Sequence, residues 1–299
     1  MPSRLLIAAC LAGTALLVGC TQPVDVTALQ EDIDRLVESR PGAVVAVSIR
    51  DPHRNLVFDR QGDRLFHAAS TMKVPVMIEV FRRVREGTMA LEDTLTLRNS
   101  FRSIVDGTEY SISDDSDDTL YEELGEPITI RELVEQMITV SSNLATNLLI
   151  DELGAENVQA TSEELGTTRM RTLRGVEDLK AFEQGLSNQT TSADLAILLQ
   201  ALMEEDAVGR RQDAEMLEVL KRQQFNEMIP ARLPEGVEVA HKTGQITAIH
   251  HDAGILYGPS GRPFVLVILI EGLADDTHSA DLGARIAEVV FGRLRPADS

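Results

Sequence analysis

Strand-like segments lie at both ends of this 299-residue chain, and they constrain its fold more than any other sequence feature. Five segments have strand patterns, near residues 43–49, 56–59, 237–243, 250–257 and 264–270, and the first two are apolar. The last three follow one another as a meander, so all five can pair in one antiparallel sheet. Helical patterns near 28–39 and 279–294 would flank that sheet. We therefore expect an α+β fold whose five-stranded antiparallel sheet is built from both chain ends.

The middle of the chain has the pattern of helices. The predicted helices lie near residues 71–85, 129–139 and 191–203. Thr129 and Glu132 form a capping box at the start of the second helix. These segments predict an inserted all-α lobe at about 67–224, packed against an α/β lobe made of about 26–66 and 225–299. A cleft between two such lobes is the expected binding site.

Charge and cysteine content exclude several functions. The net charge is −20, from 48 acidic and 28 basic residues, which argues against nucleic-acid binding and against adhesion to anionic lipid. We interpret the acidic run at 114–118 as a solvated loop, because it lacks the spacing and the turn glycine of a calcium loop. Both cysteines, Cys10 and Cys20, fall in an N-terminal leader, so no disulfide is expected in the folded part.

The first 19 residues are typical of a signal peptide. Arg4 precedes an apolar run at 5–18, which is too short to span a bilayer. The run ends at 17–20 in a segment that looks like a bacterial lipobox. We expect cleavage before Cys20 and lipidation of its thiol, with residues 20–299 exported to the periplasm. An ordinary secretory signal is the alternative.

Three short motifs carry the chemistry. Ser70 and Lys73 lie three residues apart, which puts a hydroxyl and an amine on one helical face. The second motif, at 141–143, reads Ser-Ser-Asn, and the third, at 242–244, reads Lys-Thr-Gly. Each alone is explained by a cap, a turn or a solvated lysine, but all three in this order are expected by chance in only about 10⁻³ of such sequences.

These motifs resemble those of the penicillin-recognising serine hydrolases, in particular the class A β-lactamases, whose motifs are S-x-x-K, S-D-N and K-T-G. The resemblance extends over most of the chain after the leader. It implies the β-lactamase and transpeptidase-like fold, with the active site between the lobes. The chain departs from the pattern at Ser142, where the family has Asp, so the support of that loop is open.

The resemblance also implies a role for each residue. Catalytic roles fall on Ser70 as nucleophile, Lys73 as its base and Ser141 as proton donor to the leaving nitrogen. The backbone N–H groups of Ser70 and Gln245 would hold the oxyanion. The remaining substrate-binding residues are Asn143 for a side-chain amide and Lys242, Thr243 and Gly244 for a carboxylate.

Glu177 is the candidate for activating the deacylating water. It lies 36 residues after Ser141, a spacing that looks like class A, and Arg174 precedes it. The family loop usually reads E-x-x-L-N, whereas this chain has Ala181 where the asparagine is expected. Asn188 could substitute only if the loop folds back. A solvated loop acid is the alternative interpretation of Glu177.

Three functions remain open on the sequence. A β-lactamase is the first; a D,D-peptidase acting on peptidoglycan stem peptides has the same motifs but needs no glutamate. A noncatalytic lipoprotein that binds cell-wall peptides is the third. We expect a monomer with no cofactor. We also expect no metal, because the histidines at 241, 250 and 251 lack zinc-site spacing. His251 or Asp252 would either tune specificity or be ordinary polar residues at a sheet edge.

Overall fold

The computed structural model describes residues 24–258 and 261–294. Its α-helices are α1 (Val26–Glu38), α2 (Lys73–Glu86), α3 (Ile130–Thr139), α4 (Asn143–Leu153), α5 (Ala155–Glu164), α6 (Leu179–Glu183), α7 (Ser192–Met203), α8 (Arg210–Leu220) and α9 (Asp276–Leu294). Its strands are β1 (Val44–Asp51), β2 (Leu56–Arg60), β3 (Phe66–His67), β4 (Thr94–Thr96), β5 (Phe101–Arg102), β6 (Glu109–Tyr110), β7 (Pro127–Thr129), β8 (Gln189–Thr190), β9 (Glu238–Ile246), β10 (Ile249–Tyr257) and β11 (Phe264–Glu271).

The predicted sheet and fold class are confirmed. The five long strands form one antiparallel sheet in the order β2-β1-β11-β10-β9, so strands from the two chain ends meet where β1 pairs with β11. Strand β9, which carries Lys242, lies at one edge of this sheet and pairs only with β10. The third motif is therefore on a strand whose other side is free to face the helices.

Each face of the sheet is covered by its own apolar core. Strand β11 shows why, because its side chains alternate between the two faces. Leu266, Ile268 and Ile270 pack with residues of α1 and α9 in one buried cluster. Val265 and Val267 pack with the helical part of the chain in the other. The continuous apolar run at 264–270 is thus a strand buried on both faces.

The helical middle differs from the prediction in detail. The capping box of Thr129 and Glu132 starts α3 as expected. Three small two-stranded sheets also occur there, pairing β3 with β8, β4 with β7 and β5 with β6. Strands of two or three residues are too short to give an alternating pattern, so the sequence did not predict them.

The helix after the nucleophile begins later than predicted. Residues Ala69–Met72 form a 3₁₀ turn, and the α-helix α2 begins only at Lys73. Glycine at position 87 ends it in the left-handed conformation, with φ 73°. Among residues 24–258 and 261–294, no helix is long and apolar enough to cross a membrane. The predicted leader and Cys20 lie outside the described residues.

Candidate active site

Ser70 lies on a tight turn with a constrained backbone. Ala69, directly before it, has φ 45°, a conformation that costs free energy for a residue with a Cβ. The Ala69 backbone N–H donates to Nδ1 of His67 at 3.0 Å, which helps to fix this conformation. Burial lowers the pKa of His67, with a further contribution from the charge of Arg174. A neutral His67 is what this contact requires, because Nδ1 must be an acceptor.

Lys73 is fully buried in the first turn of α2 and points to the second motif. Its Nζ lies 2.5 Å from the carbonyl oxygen of Ser141, 3.1 Å from Ser141 Oγ and 3.0 Å from Asn143 Oδ1. The structure therefore joins the first and second motifs, which are about 70 residues apart, through one amine.

Lys242 approaches the same hydroxyl from the sheet. It is fully buried on β9, and its Nζ lies 3.0 Å from Ser141 Oγ and 2.9 Å from the carbonyl oxygen of Thr243. Ser141 itself has φ 61°, so the backbone is constrained here as it is at Ala69. The three motifs predicted from sequence thus converge on Ser141 Oγ.

Two buried amines that share one hydroxyl cannot both keep their full affinity for a proton. Burial lowers the pKa of Lys73 to about 7, partly offset by the charges of Asp115 and Glu177. Burial, and then the charge of Lys73, also lowers the pKa of Lys242. A neutral Lys73 suits its contacts, since it can donate to two acceptors and accept from Ser141 Oγ–H. Lys242 Nζ donates to the same Ser141 Oγ, so the hydroxyl links the two amines.

The backbone of the third motif lies against the nucleophile turn. A Cβ added to Gly244 would be 3.0 Å from the backbone nitrogen of Ser70 and 3.1 Å from that of Thr71. This close approach explains the glycine, whose φ is unexceptional. Gln245, the next residue along β9, is exposed, and the oxyanion-hole role of its backbone N–H stays a prediction.

Asn143 and Glu177 lie next to the lysines. The Asn143 side chain donates from Nδ2 to Glu177 Oε1 at 3.2 Å and accepts from Lys73 through Oδ1. Glu177 Oε2 accepts from the backbone N–H of Ser113 at 2.9 Å. Glu177 also has φ 59°, so three of the seven non-glycine residues with positive φ among the described ones flank this site. The Asn143 side chain therefore lies between Glu177 and Lys73 and contacts both.

Asn188 does not replace the missing loop asparagine. Its buried side chain accepts from the backbone N–H groups of Leu173 and Arg174 and donates to the Arg174 carbonyl oxygen. Arg174 in turn donates to the carbonyl oxygens of Gly175 and Leu186. Both side chains therefore hold the backbone of the loop that carries Glu177.

The interpretation of residues 114–118 as only a solvated loop was wrong for Asp115. Its carboxylate accepts from the backbone N–H groups of Asn143 at 2.7 Å and Leu144 at 2.9 Å. Ser142 is the N-cap of α4 and accepts from Ala145 N–H, but it supplies no charge. Asp115 was missed because it lies 27 residues before Ser142, where no local spacing connects them.

His251 and Asp252 do not face the cleft. Both are fully buried on β10, an inner strand, so the sheet-edge interpretation is wrong as well. His251 bonds to the His67 carbonyl oxygen and to the Ile270 N–H, and burial lowers its pKa to about 4. Asp252 accepts from the Ile229 N–H and contacts His241. In the part of the chain that the structure describes, no group of three or more His, Cys, Asp or Glu residues could hold a metal ion.

Comparisons with known proteins agree with this geometry. The Beta-lactamase enzyme family matches residues 28–294. A β-lactamase from Rhodobacter capsulatus is 25% identical over 273 residues, which is 89% of each chain. Among solved structures, a β-lactamase from Sphaerobacter thermophilus is 29% identical with a TM-score of 0.79, covering 91% of this chain and 97% of that one. The structure of PBP-A is 27% identical with a TM-score of 0.78, covering 91% and 98%. The matched residues thus include both the helical side and the sheet side of the cleft.

Proposed function

The chain belongs to the β-lactamase enzyme family, and we propose that it is a class A-like serine β-lactamase that hydrolyses the lactam amide through an acyl-enzyme on Ser70. The observation that carries this proposal is the convergence of Lys73 and Lys242 on Ser141 Oγ, at 3.1 and 3.0 Å. Acyl transfer to a serine needs a base for the nucleophile and a proton donor for the leaving nitrogen. The buried Lys73 amine, three residues after Ser70, and the Ser141 hydroxyl are the groups that would fill these two roles.

Acylation begins with a proton transfer from Ser70 to neutral Lys73. The pKa of Lys73, lowered by burial to about 7, leaves a large neutral fraction near neutral pH. The Ser70 oxygen attacks the lactam carbonyl carbon, and the N–H groups of Ser70 and Gln245 stabilise the oxyanion. The C–N bond then breaks, and Ser141 gives its proton to the lactam nitrogen while taking one from Lys73.

Substrate binding uses the other predicted residues. The ammonium of Lys242 and the side chain of Thr243 attract the carboxylate that penicillins carry near the lactam nitrogen. The Asn143 amide binds the side-chain amide of the substrate. Gly244 lets β9 lie directly against the nucleophile turn, because a Cβ there would be 3.0 Å from Ser70 N.

Deacylation requires a base for water, and Glu177 is the residue we propose. Its carboxylate lies beside Asn143, which also contacts Lys73, so a water bound between Glu177 and Ser70 would be close to the ester. Glu177 takes a proton from this water as the water oxygen attacks the acyl carbon. That proton is then returned to Ser70 Oγ as the C–O bond to the acyl group breaks, so Ser70 leaves as the alcohol and Glu177 is again a carboxylate.

Nitrocefin hydrolysis tests the proposal. The wild-type chain is expected to turn over, Ser70→Ala to lose all turnover, and Glu177→Gln to acylate but deacylate about 10³-fold more slowly. Asp178→Asn, next to Glu177, is the control for general disturbance of the loop. If the wild-type chain is acylated but never turns over, the β-lactamase assignment fails. If Glu177→Gln turns over like wild type, another group activates the water.

A D,D-peptidase is the second candidate, and one feature favours it. Both Glu177 oxygens accept hydrogen bonds, from Asn143 Nδ2 and from the Ser113 N–H, and this gives Glu177 a structural role that a peptidase would also need. The similarity to PBP-A is compatible with this alternative. A fluorescent penicillin would label such an enzyme for hours and a β-lactamase only briefly. No labelling at all would favour a noncatalytic protein that binds cell-wall peptides.

For the cellular location, we propose export with a lipid on Cys20. The support is the sequence alone, namely Arg4, the apolar run at 5–18 and the lipobox-like segment at 17–20. Incorporation of labelled palmitate into the wild-type chain, and its loss in Cys20→Ala, is the expected result. A processed wild-type chain without label would indicate plain secretion. We further propose a monomer, which light scattering on the processed chain would check.

A further inference from the structure

One carboxylate at the start of α4 comes from a different part of the chain. Asp115 Oδ1 accepts from the N–H of Asn143 at 2.7 Å, and Oδ2 accepts from the N–H of Leu144 at 2.9 Å. These are the first two residues of α4, whose backbone N–H groups have no partner within the helix. A negative charge at this end also interacts favourably with the helix dipole.

Side chains on both sides hold Asp115 in this place. The Tyr121 hydroxyl donates to Asp115 Oδ2 at 2.9 Å, and the Ser142 hydroxyl lies 3.4 Å from the same oxygen. Burial raises the pKa of Tyr121, and the hydrogen bond and charge of Asp115 raise it further, so this phenol stays a donor. The backbone N–H of Ser116 also donates to Oδ1 at 2.7 Å, so Asp115 has five donors and both of its oxygens are held in place.

The same contact fixes the groups that meet Lys73. Asn143, held through its backbone by Asp115, accepts from Lys73 Nζ at 3.0 Å. Two positions earlier, Ser141 has φ 61° and contacts Lys73 through both its carbonyl and its hydroxyl oxygen. A loose start of α4 would disrupt all three contacts of Lys73 together.

The charge of Asp115 acts on Lys73 as well. The charged groups that face Lys73 are Asp115, Glu177 and Lys242, and of the two acids Asp115 has the larger effect. Both acids raise the pKa of Lys73 against the larger effect of burial. Without Asp115 the amine would therefore lose its proton at a lower pH.

We propose that Asp115 is a positioning residue for acyl transfer, which supplies from the 113–118 loop the carboxylate that holds Ser141, Asn143 and Lys73 in their reactive arrangement. This inference rests on the proposed acylation of Ser70, and it does not depend on deacylation. It also explains how the second motif works with serine at position 142.

The rate of Ser70 acylation by a fluorescent penicillin, measured from about pH 5 to about pH 9, tests the inference. In Asp115→Asn and Asp115→Ala the second-order rate constant should fall about 100-fold at its optimum. The acidic limb of the profile should also move to lower pH, because the neighbouring negative charge is gone. A purely structural defect would lower the rate without moving this limb. Asp118→Asn removes the same charge from an exposed position of the same acidic run and should leave rate and profile unchanged.

A second-site variant gives the sharper comparison. The Ser142 hydroxyl lies 3.4 Å from Asp115 Oδ2, so an aspartate at 142 would place its carboxylate close to the one that Asp115→Ala removes. The double variant Asp115→Ala with Ser142→Asp should recover at least about 10-fold of the lost rate. Ser142→Asp alone puts two carboxylates together and should be slower than wild type.

The outcomes separate this inference from the proposed function. Two outcomes would overturn the role of Asp115 and leave the proposed function standing. In the first, wild type is acylated and Asp115→Ala is acylated at the same rate; in the second, the double variant folds but is acylated no faster than Asp115→Ala. If Asp115→Ala does not fold, Asp115→Asn decides the question. Acylation of Asp115→Asn with the rate and pH profile of wild type would overturn the role of Asp115. A wild-type chain that no penicillin acylates would overturn the proposed function and this inference together.

Discussion

Replacing Gly244 by alanine would test the close contact between the third motif and the nucleophile turn. The new Cβ would lie 3.0 Å from Ser70 N and 3.2 Å from Ala69 Cβ, whereas ordinary contacts are 3.4–4 Å. The atoms in the way belong to a constrained turn, so the turn or β9 must move by a few tenths of an ångström. A misplacement of about 1 Å can cost 100-fold in rate, so this shift should slow acylation about 10-fold. Stability should fall by only about 1–2 kcal/mol, the usual cost of one extra methyl group.

Stopped-flow acylation with a fluorescent penicillin and urea unfolding together measure both effects. The matched control is Gly292→Ala on α9, where an added Cβ meets nothing within 4 Å. This control should acylate like wild type and be about 0.5–1 kcal/mol more stable, because alanine favours helix more than glycine does. If Gly244→Ala acylates at the wild-type rate, the oxyanion-hole argument from this contact is wrong.

Three further predictions concern Lys73 and the Glu177 loop. With the pKa of Lys73 at about 7, the wild-type acylation rate should fall about tenfold per pH unit below that value, and a flat profile would show that Lys73 is not the base. The pKa of Lys73 in the folded state lies below the ordinary lysine value of 10.5. The free-energy cost of burying the charged amine is therefore fully present below about pH 7 and is lost as pH rises towards about 10.5. In urea unfolding, wild type should therefore gain stability relative to Lys73→Met over that range, by at most about 5 kcal/mol, and a constant difference would contradict the shift. Asn188→Ala removes three buried hydrogen bonds to the loop backbone and should cost about 1–3 kcal/mol in thermal unfolding while Ser70 acylation is retained; a loss of acylation would place Asn188 in the chemistry.

The sequence predicted those parts of the molecule that repeat over short distances. Strand β11 is an unbroken apolar run because it is buried on both faces. The hairpin of β9 and β10 follows from two strand-like segments in succession. Ser70 and Lys73 are three residues apart, which predicts one helical turn between them, and the structure has a 3₁₀ turn at Ser70 followed by α2 from Lys73. The geometry of these features depends on residues that are only a few positions apart in the sequence.

The features that the sequence did not predict depend on contacts between distant segments. Asp115 supports α4 from 27 residues before Ser142, and nothing in its acidic surroundings distinguishes it from Asp117 or Asp118. The spacing of Glu177 predicted a place near the site, but only the structure shows that Asn143 and Ser113 hold its two oxygens. Ser142 stands at the start of α4 where the family has aspartate. This missing carboxylate was the one signal in the sequence that indicated a replacement elsewhere in the chain.

The central claim is that this chain forms an acyl-enzyme on Ser70 and then hydrolyses it. Rapid-quench mass spectrometry of the chain with penicillin G tests it most directly. We predict a transient adduct with the mass of the whole penicillin, located on the peptide that contains Ser70, and its decay at the rate at which ring-opened product appears. Product formation without this adduct, or turnover that persists in Ser70→Ala, would contradict the claim.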